Sequence, residues 1–476
     1  MTQNTKQRIF NGILWNSIEK FLVKGTTFTI SIFLARILSP SDYGMIGMLA
    51  IFMTLSNIFI ESGFSKALIQ KQNCTDTDYS TIFYANLVLA FSIYIILFIS
   101  AHYVADFYNE PLLCNILRVL SINFVLGSFN IVQRAKLMAK MDFKSLAKIN
   151  FIATLIGGIC GLVMAYNGFG VWALLGQSLV ASFCMLFLFP YFSKWKPILS
   201  FSMTSLKSLF GFGSKLLISG VVATIVNNIA TIAIGKTYKS TQLGFYTKAT
   251  SFSELIAFTV NDILGTVTFP VLSELQDEKE KMLAVYRKSL LFSAMVIFPV
   301  MILITLLAKP MILALLTEKW LPCVVLLQIL CLARMFTPLS TINMNLLNAI
   351  GRSDLFMKID LSKIPLILII LAITIPMGVK AIVIGSLIDT FICFFINAYY
   401  PGKLFGYGAW KQIKDWRYIF LSLLIMAAIV ILYLHCVSNV WIQFIGGGIV
   451  GGITYIICCI KFKLINKELI YSLKKH

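Results

Sequence analysis

The sequence predicts an all-α, polytopic membrane protein of about fourteen transmembrane helices. Three observations carry that reading. Of 476 residues 58% are hydrophobic and only 13% are charged, about half the charged share of a soluble domain. Apolar runs of roughly 20 to 28 residues follow one another almost without pause, and each can cross ~30 Å of hydrocarbon at ~1.5 Å per residue. The ~10-residue alternating segments of a membrane β-barrel do not occur.

In chain order the runs fall at about 13–38, 43–68, 79–104, 111–133, 145–167, 169–191 and 205–234, then 243–270, 284–308, 321–349, 357–377, 379–401, 416–436 and 439–461. The start, "MTQNTKQRIFNGILW", lacks a small-residue cleavage site, so the first run is expected to stay as a helix. An even number of spans places both ends on one side. That side collects most of the 40 Lys and Arg, leaving Arg36, Lys236, Lys239, Lys309, Lys319 and Lys380 on the other. Basic loops stay inside, so the termini are expected in the cytoplasm. The net charge of +20 is thereby a topology signal, with contact to anionic membrane lipids, and not a nucleic-acid footprint. The ten cysteines lie mostly inside spans without a CxxC pair and read as small core residues.

The chain also echoes itself. "LARILSPSDYG" (34–44) returns as "IAIGKTYKSTQLG" (232–244), "GVWALLGQSLV" (170–180) as "GVKAIVIGSLI" (378–388), and "AKMDFKSLAKIN" (139–150) as "AIGRSDLFMKID" (349–360). Three echoes in one order, about 200 to 212 residues apart, predict a duplicated six-helix unit. The expected division is a lobe at 1–200, a second at 201–405, and an appended helix pair with a cytoplasmic tail at 406–476. Six is even, so both copies enter the membrane in one direction, as pseudo-symmetric lobes about an axis along the membrane normal. A substrate path between such lobes is expected. The polar elbows "SPSDYG" and "KSTQLG" are expected to be structural outer turns.

Loops are short, and no Walker loop, HExxH, GxSxG or dinucleotide glycine pattern appears. Catalytic residues, metal and cofactor are therefore not expected. "GGICG" (157–161) and "GGGIVGG" (446–452) read as small faces for close helix packing. Pro270, Pro299, Pro338 and Pro376 predict kinks.

Polar groups at membrane depth are costly and face a cavity or a partner. In the first run Ser17, Lys20, Lys24, Thr27 and Ser31 share a stripe at helical spacing, with Lys24 about 16 Å in. Thr54, Asn57 and Glu61 share a face of the second, and Arg118 pairs with Ser121 in the fourth. Lys215 lies in the seventh. In the eighth, Lys248 and Asp262 fall nearly in register, with Glu254 on another side. Arg334 heads a stripe with Thr337, Thr341, Asn345 and Asn348. One reading is a hydrated, net-positive cavity whose amides and hydroxyls bind hydroxyl-rich cargo while Lys24, Lys248, Arg334, Arg118 and Lys215 meet an anion. The other is structural: Glu19 beside Lys20, Glu61, Glu254 or Asp262 form interhelical ion pairs, or couple transport to an ion.

"LWNSIEKF" (14–21), "LARILSPSDYG", "ESGFSKALIQK" (61–71), "STIFYANL" (80–87), "LGFYTKA" (243–249) and "TEKW" (317–320) resemble landmarks of bacterial polysaccharide exporters. These are flippases of the multidrug/oligosaccharidyl-lipid/polysaccharide superfamily, and the chain is most similar to the colanic acid and teichuronic acid exporter branch over about residues 8–405. The resemblance implies translocation of undecaprenyl-diphosphate-linked oligosaccharide between leaflets of the bacterial cytoplasmic (inner) membrane, for surface polysaccharide or lipopolysaccharide synthesis. It implies two six-helix lobes, as in multidrug transporters of the superfamily, plus extra C-terminal helices. It implies as partners the lipid-linked oligosaccharide, membrane lipids, a polysaccharide polymerase and other assembly proteins. Related lipid II flippases hold the diphosphate with cations in the first and eighth helices, where Lys24 and Lys248 stand here. Two alternatives stay open. A small-molecule efflux antiporter would more naturally have twelve spans and an acidic cavity. A membrane enzyme of polysaccharide assembly would show a large external loop or a membrane histidine, whereas His102 and His435 lie near outer helix ends.

Overall fold

A computed structural model describes residues 3–61 and 74–464. Among them the chain is helical, with no strand. The helices are α1 (Gln3–Ile37), α2 (Pro40–Glu61), α3 (Asp76–Tyr108), α4 (Leu112–Leu120), α5 (Ile122–Ser128), α6 (Ile131–Ala139), α7 (Phe143–Tyr166), α8 (Trp172–Ser193) and α9 (Met203–Thr237). They continue with α10 (Ser240–Glu274), α11 (Lys279–Leu315), α12 (Cys323–Arg334), α13 (Thr337–Ala349), α14 (Ser353–Thr374), α15 (Val379–Phe405), α16 (Ala409–Asp415), α17 (Arg417–Cys436) and α18 (Val440–Lys461).

Ten helical stretches among the described residues are long and apolar enough to cross a membrane, or eleven if Leu112–Ser128 and Ile131–Ala139, bent by 42°, form one span. Ten or eleven of the expected fourteen runs are thus met among the described residues. The 35-residue helices α1, α9 and α10 fall outside that set, and they are the ones that carry Lys20, Lys24, Asn227, Asn228, Lys248, Glu254 and Asp262.

The fourth run is not a single rod. Inside 112–139 the side chains of Ser121, Asn123, Ser128 and Asn130 donate back to Arg118 O, Leu120 O, Val125 O and Leu126 O. Such local bonds compete with the helical ladder and break it into α4, α5 and α6. The tenth run also breaks, at Met335–Phe336, just before Pro338. Proline lacks an N–H and crowds the preceding turn, so Pro338 marks a helix start instead of a mid-helix kink. Pro376 likewise sits in a short 3-10 turn, whereas α10 and α11 run on through Pro270 and Pro299.

The chain divides into two compact units, Met1–Gly244 and Phe245–His476. In the first, α7 and α8 form a tight hairpin with α1 against α7. A β-carbon on Gly157 would lie 2.5 Å from Gln177 O, and one on Gly158 2.0 Å from Ile30 Cδ1. Small residues thus let three backbones approach, as the "GGICG" stretch predicts. Helix α3 starts at a capping box. Asp78 N donates to Thr75 Oγ1 at 3.2 Å, and Thr75 N to Asp78 Oδ2 at 3.0 Å. The segment after α8 is pinned to α3, because Ile198 N and Ser202 N donate to Ser80 Oγ and Thr81 Oγ1, each at 3.0 Å. Trp195 packs there with Ile82, Phe83, Val132 and Ala135.

In the second unit α17 and α18 pack on α11, with Gly447 and Gly451 facing Leu307 and Leu303. Helix α16 is locked down by a buried polar knot. Tyr286 donates to Asn343 Oδ1, and Gln412 Nε2 donates to both Tyr286 Oη and Asn343 Oδ1 at 3.1 Å. Arg287 forks onto Asp415 at 2.6 and 2.8 Å, and Tyr407 donates to the same carboxylate at 2.7 Å. Burial, then Asp415, pushes the Tyr407 phenol above the usual tyrosine range. Trp416, fully buried, sits among Phe298, Phe394 and Phe420.

The echoes take matching backbones. Gly170 and Gly378 both have positive φ, at 55° and 106°. So do the counterparts Met141 and Gly351, at 57° and 73°, which end α6 and α13.

Candidate functional site

The two repeated elbows meet. Ser39 and Asp42 cap α2, with Ser39 N and Oγ donating to Asp42 Oδ2 at 2.8 and 2.7 Å. In the second elbow Gln242 stands where Asp42 does, and the elbow holds no carboxylate. The backbones nonetheless make one reciprocal contact. A β-carbon on Gly44 would lie 1.8 Å from Ser240 O, and one on Gly244 1.8 Å from Pro40 O. Pro40 and Ser240 are counterparts two hundred residues apart. Ser41 Oγ and Ser240 Oγ share a hydrogen bond of 2.9 Å. Only glycine allows the starts of α2 and α10 to cross this closely. Below the crossing α2 runs along α9, where a β-carbon on Gly235 would come within 3.2 Å of Met48 Cγ. Lys236 Nζ donates to Phe107 O at 2.5 Å and lies 4.7 Å over that ring.

Deeper on α1, Lys24 is half-buried and Thr27 exposed. Glu19 does not stand alone beside Lys20: its Oε1 accepts from Asn150 Nδ2 at 2.6 Å, tying α1 to α7. Asn57 is exposed on α2. Arg118 packs on α3. Its Nε donates to Phe98 O at 3.3 Å and its guanidinium lies 4.5 Å over the Phe98 ring on α3. Lys215 lies on α9, Asp262 on α10 and Glu61 at the end of α2, and their side chains are outside the described residues.

In the second unit the structure brings together groups that the sequence left apart. Lys248 is 3% exposed. Its amine stands 5.7 Å from the Phe252 ring and 5.9 Å from that of Trp320, within cation–π reach. Phe245 meets Trp320 edge-on at 6.1 Å. The "LGFYTKA" and "TEKW" stretches therefore converge on one aromatic box around a lysine. Two turns along α10, Glu254 Oε1 receives Arg334 at 2.6 Å, and both side chains are 30% exposed. Arg334 ends α12, where the helix dipole favours a cation, and lies 5.9 Å over Phe258. Sequence spacing set Glu254 on a different side of its helix from Lys248, and nothing in it paired Glu254 with Arg334, eighty residues on. Among the described residues no group of three His, Cys, Asp or Glu could hold a metal ion. The second unit thus sets an ammonium and a guanidinium against aromatic rings and one carboxylate.

Such a fold is that of an all-α, multi-pass membrane protein. The profile of the family described as polysaccharide biosynthesis protein matches residues 33–325, and the chain belongs to that family. It is 24% identical over 361 residues to the lipopolysaccharide biosynthesis protein WzxC of Escherichia coli K12, covering 75% of this chain and 73% of that one. It is 26% identical over 357 residues to the teichuronic acid biosynthesis protein TuaB of Bacillus subtilis 168, covering 75% and 74%. Its fold is similar to the lipid II flippase MurJ in an inward closed conformation (TM-score 0.74, 16% identity, 95% of this chain and 99% of the other). Its fold is also similar to an inward-facing multidrug resistance transporter of the MATE family and MOP superfamily, at TM-score 0.64 and 16% identity, covering 84% and 100%.

Proposed function

We propose that this protein flips undecaprenyl-diphosphate-linked oligosaccharide from the cytoplasmic to the periplasmic leaflet of a bacterial inner membrane, for surface polysaccharide assembly. Membership in the polysaccharide biosynthesis family is the observation that carries the reading. Relatives named for lipopolysaccharide and teichuronic acid synthesis support it. In this reading the termini are cytoplasmic, α1, α9 and α10 also cross the membrane, and the duplicated lobes are 1–200 and 201–405 with 406–476 appended. A polymerase and other assembly proteins receive the flipped unit.

The polar stripes of α1, α2 and α10 replace water around the sugar, while the polyprenyl tail stays in lipid. Lys24 and Lys248 each meet the diphosphate during its passage. Lys248 leaves its aromatic box to do so, exchanging a cation–π contact for a stronger charge-assisted hydrogen bond. Arg334, already neutralised by Glu254, serves the diphosphate only after that pair opens. With a cytoplasm-negative potential, outward movement of negative charge is favoured by ~2.3 kcal/mol per charge per 100 mV crossed. Parting of the Gly44–Gly244 elbows exposes the head to the outer leaflet.

A leaflet-accessibility assay with labelled lipid-linked oligosaccharide tests the reading. The stably inserted Lys24→Ala, Lys248→Ala double variant is expected to lose flipping; undiminished flipping removes both lysines from the mechanism. A drug-resistance phenotype with surface polysaccharide intact on deletion would favour the efflux alternative instead.

A further inference from the structure

A groove of about 410 Å³ runs between α14 and α15 of the second unit, and neither Lys248 nor Arg334 lines it. It lies within the ~300–1,000 Å³ range of small-molecule sites. Its walls are Ile359, Phe395 and Ile396, and its polar end carries Lys358, Tyr399 and Tyr400. The rim faces outward: Trp410 is 76% exposed and Tyr399 62%. Trp410, on α16, meets the groove wall through Phe395, ring to ring at 5.4 Å.

Charge at this end is one-sided for a stated reason. Asp354 is held by Arg352 at 2.8 Å, Asp360 by Lys363 at 2.7 Å, and Asp415 by Arg287 at 2.6 Å. Lys358, Lys403, Lys411 and Lys414 are exposed and make no ion pair among the described residues. An apolar slot, an ammonium with two phenols at its mouth, and a tryptophan beside it match a glycerophospholipid at the membrane boundary. We infer that this groove binds an anionic phospholipid, with one acyl chain along Ile359, Phe395 and Ile396 and its phosphate on Lys358 and Tyr399. The inference rests on the orientation proposed above only for the leaflet, which is the cytoplasmic one.

The test uses the full chain in phosphatidylcholine vesicles and the quenching of Trp410 by brominated lipid. Subtracting the Trp410→Phe protein isolates that residue among the seven tryptophans. Brominated phosphatidylglycerol is expected to quench at a mole fraction about fivefold lower than brominated phosphatidylcholine, the value of one lysine at an anionic surface. Lys358→Glu should abolish the preference, and Lys363→Gln, which alters a lysine already paired, should keep it. Soluble glycerol phosphate should leave the curve unmoved. Equal quenching by both lipids, a preference that survives Lys358→Glu, or displacement by glycerol phosphate overturns the assignment. Since no transport is measured, a protein that flips cargo but shows no lipid preference sinks this inference alone. One with the preference but no flipping sinks the flippase reading alone.

Discussion

The two copies of the echoed sequence agree in backbone and differ in charge. Both elbows bring a glycine onto the other copy's carbonyl, at Gly44 and at Gly244. Yet the first is capped by Asp42, while the second carries Lys236 and Lys239 and no acid. Both copies also break a helix just after an arginine. Arg118 spends its charge on a carbonyl and a phenyl ring, and Arg334 on a carboxylate. The echoed segments thus share what close packing demands of the main chain. The side chains, free of that demand, diverged into different electrostatic roles.

The largest expected effect breaks the shared part. Gly244→Val adds bulk where a bare β-carbon already falls 1.8 Å from Pro40 O. Overpacking of this kind costs about 1–3 kcal/mol, and where that cost falls on the flipping barrier the rate should drop by roughly 5- to 150-fold. Gly44→Val should do the same, because the contact is reciprocal. Gly452→Ala, with open space around it, is the control in the same leaflet-accessibility assay. Wild-type flipping by both valine variants would show that the crossing plays no part in transport.

The next comparison sets Arg334 against Arg118. Arg334→Met leaves Glu254 in a partly buried site without its cation, whereas Arg118→Met strands no carboxylate. Thermal unfolding in detergent should show the former as the more damaging. Adding Glu254→Gln to Arg334→Met should recover part of the loss, with a coupling of about 1 kcal/mol in the double-mutant cycle. Additive losses would mean that the ion pair contributes no stability.

Smaller effects sharpen the remaining contrasts. Asp42→Ala removes the cap on α2 and should cost about 1 kcal/mol; Gln242→Ala, at the counterpart that lacks a carboxylate, should cost little by the same unfolding measurement. Met141 holds a left-handed backbone where its counterpart is Gly351. Met141→Gly should therefore be neutral to stabilising, by up to about 1 kcal/mol. A loss of stability there would mean that the methionine side chain supplies packing worth more than the strain.

Much of the architecture was legible from residue order. Hydrophobic run lengths marked where helices lie, and the echoes at the elbows, at Gly170 and Gly378, and at Met141 and Gly351 marked positions that prove to share backbone geometry. These features are local: a helix or a turn is set by neighbours within a few residues. The break at Ser121 was missed, because side-chain bonds to the preceding turn leave the hydrophobic pattern unchanged, whereas Pro338 had marked an interruption near Met335. The burial of Lys248 under Trp320 and the pairing of Glu254 with Arg334 were beyond residue order altogether. The partners lie about seventy and eighty residues away, and charge on a helix does not name its counter-charge. Which cation is boxed and which is neutralised is a property of helix packing, and only the tertiary structure decides it.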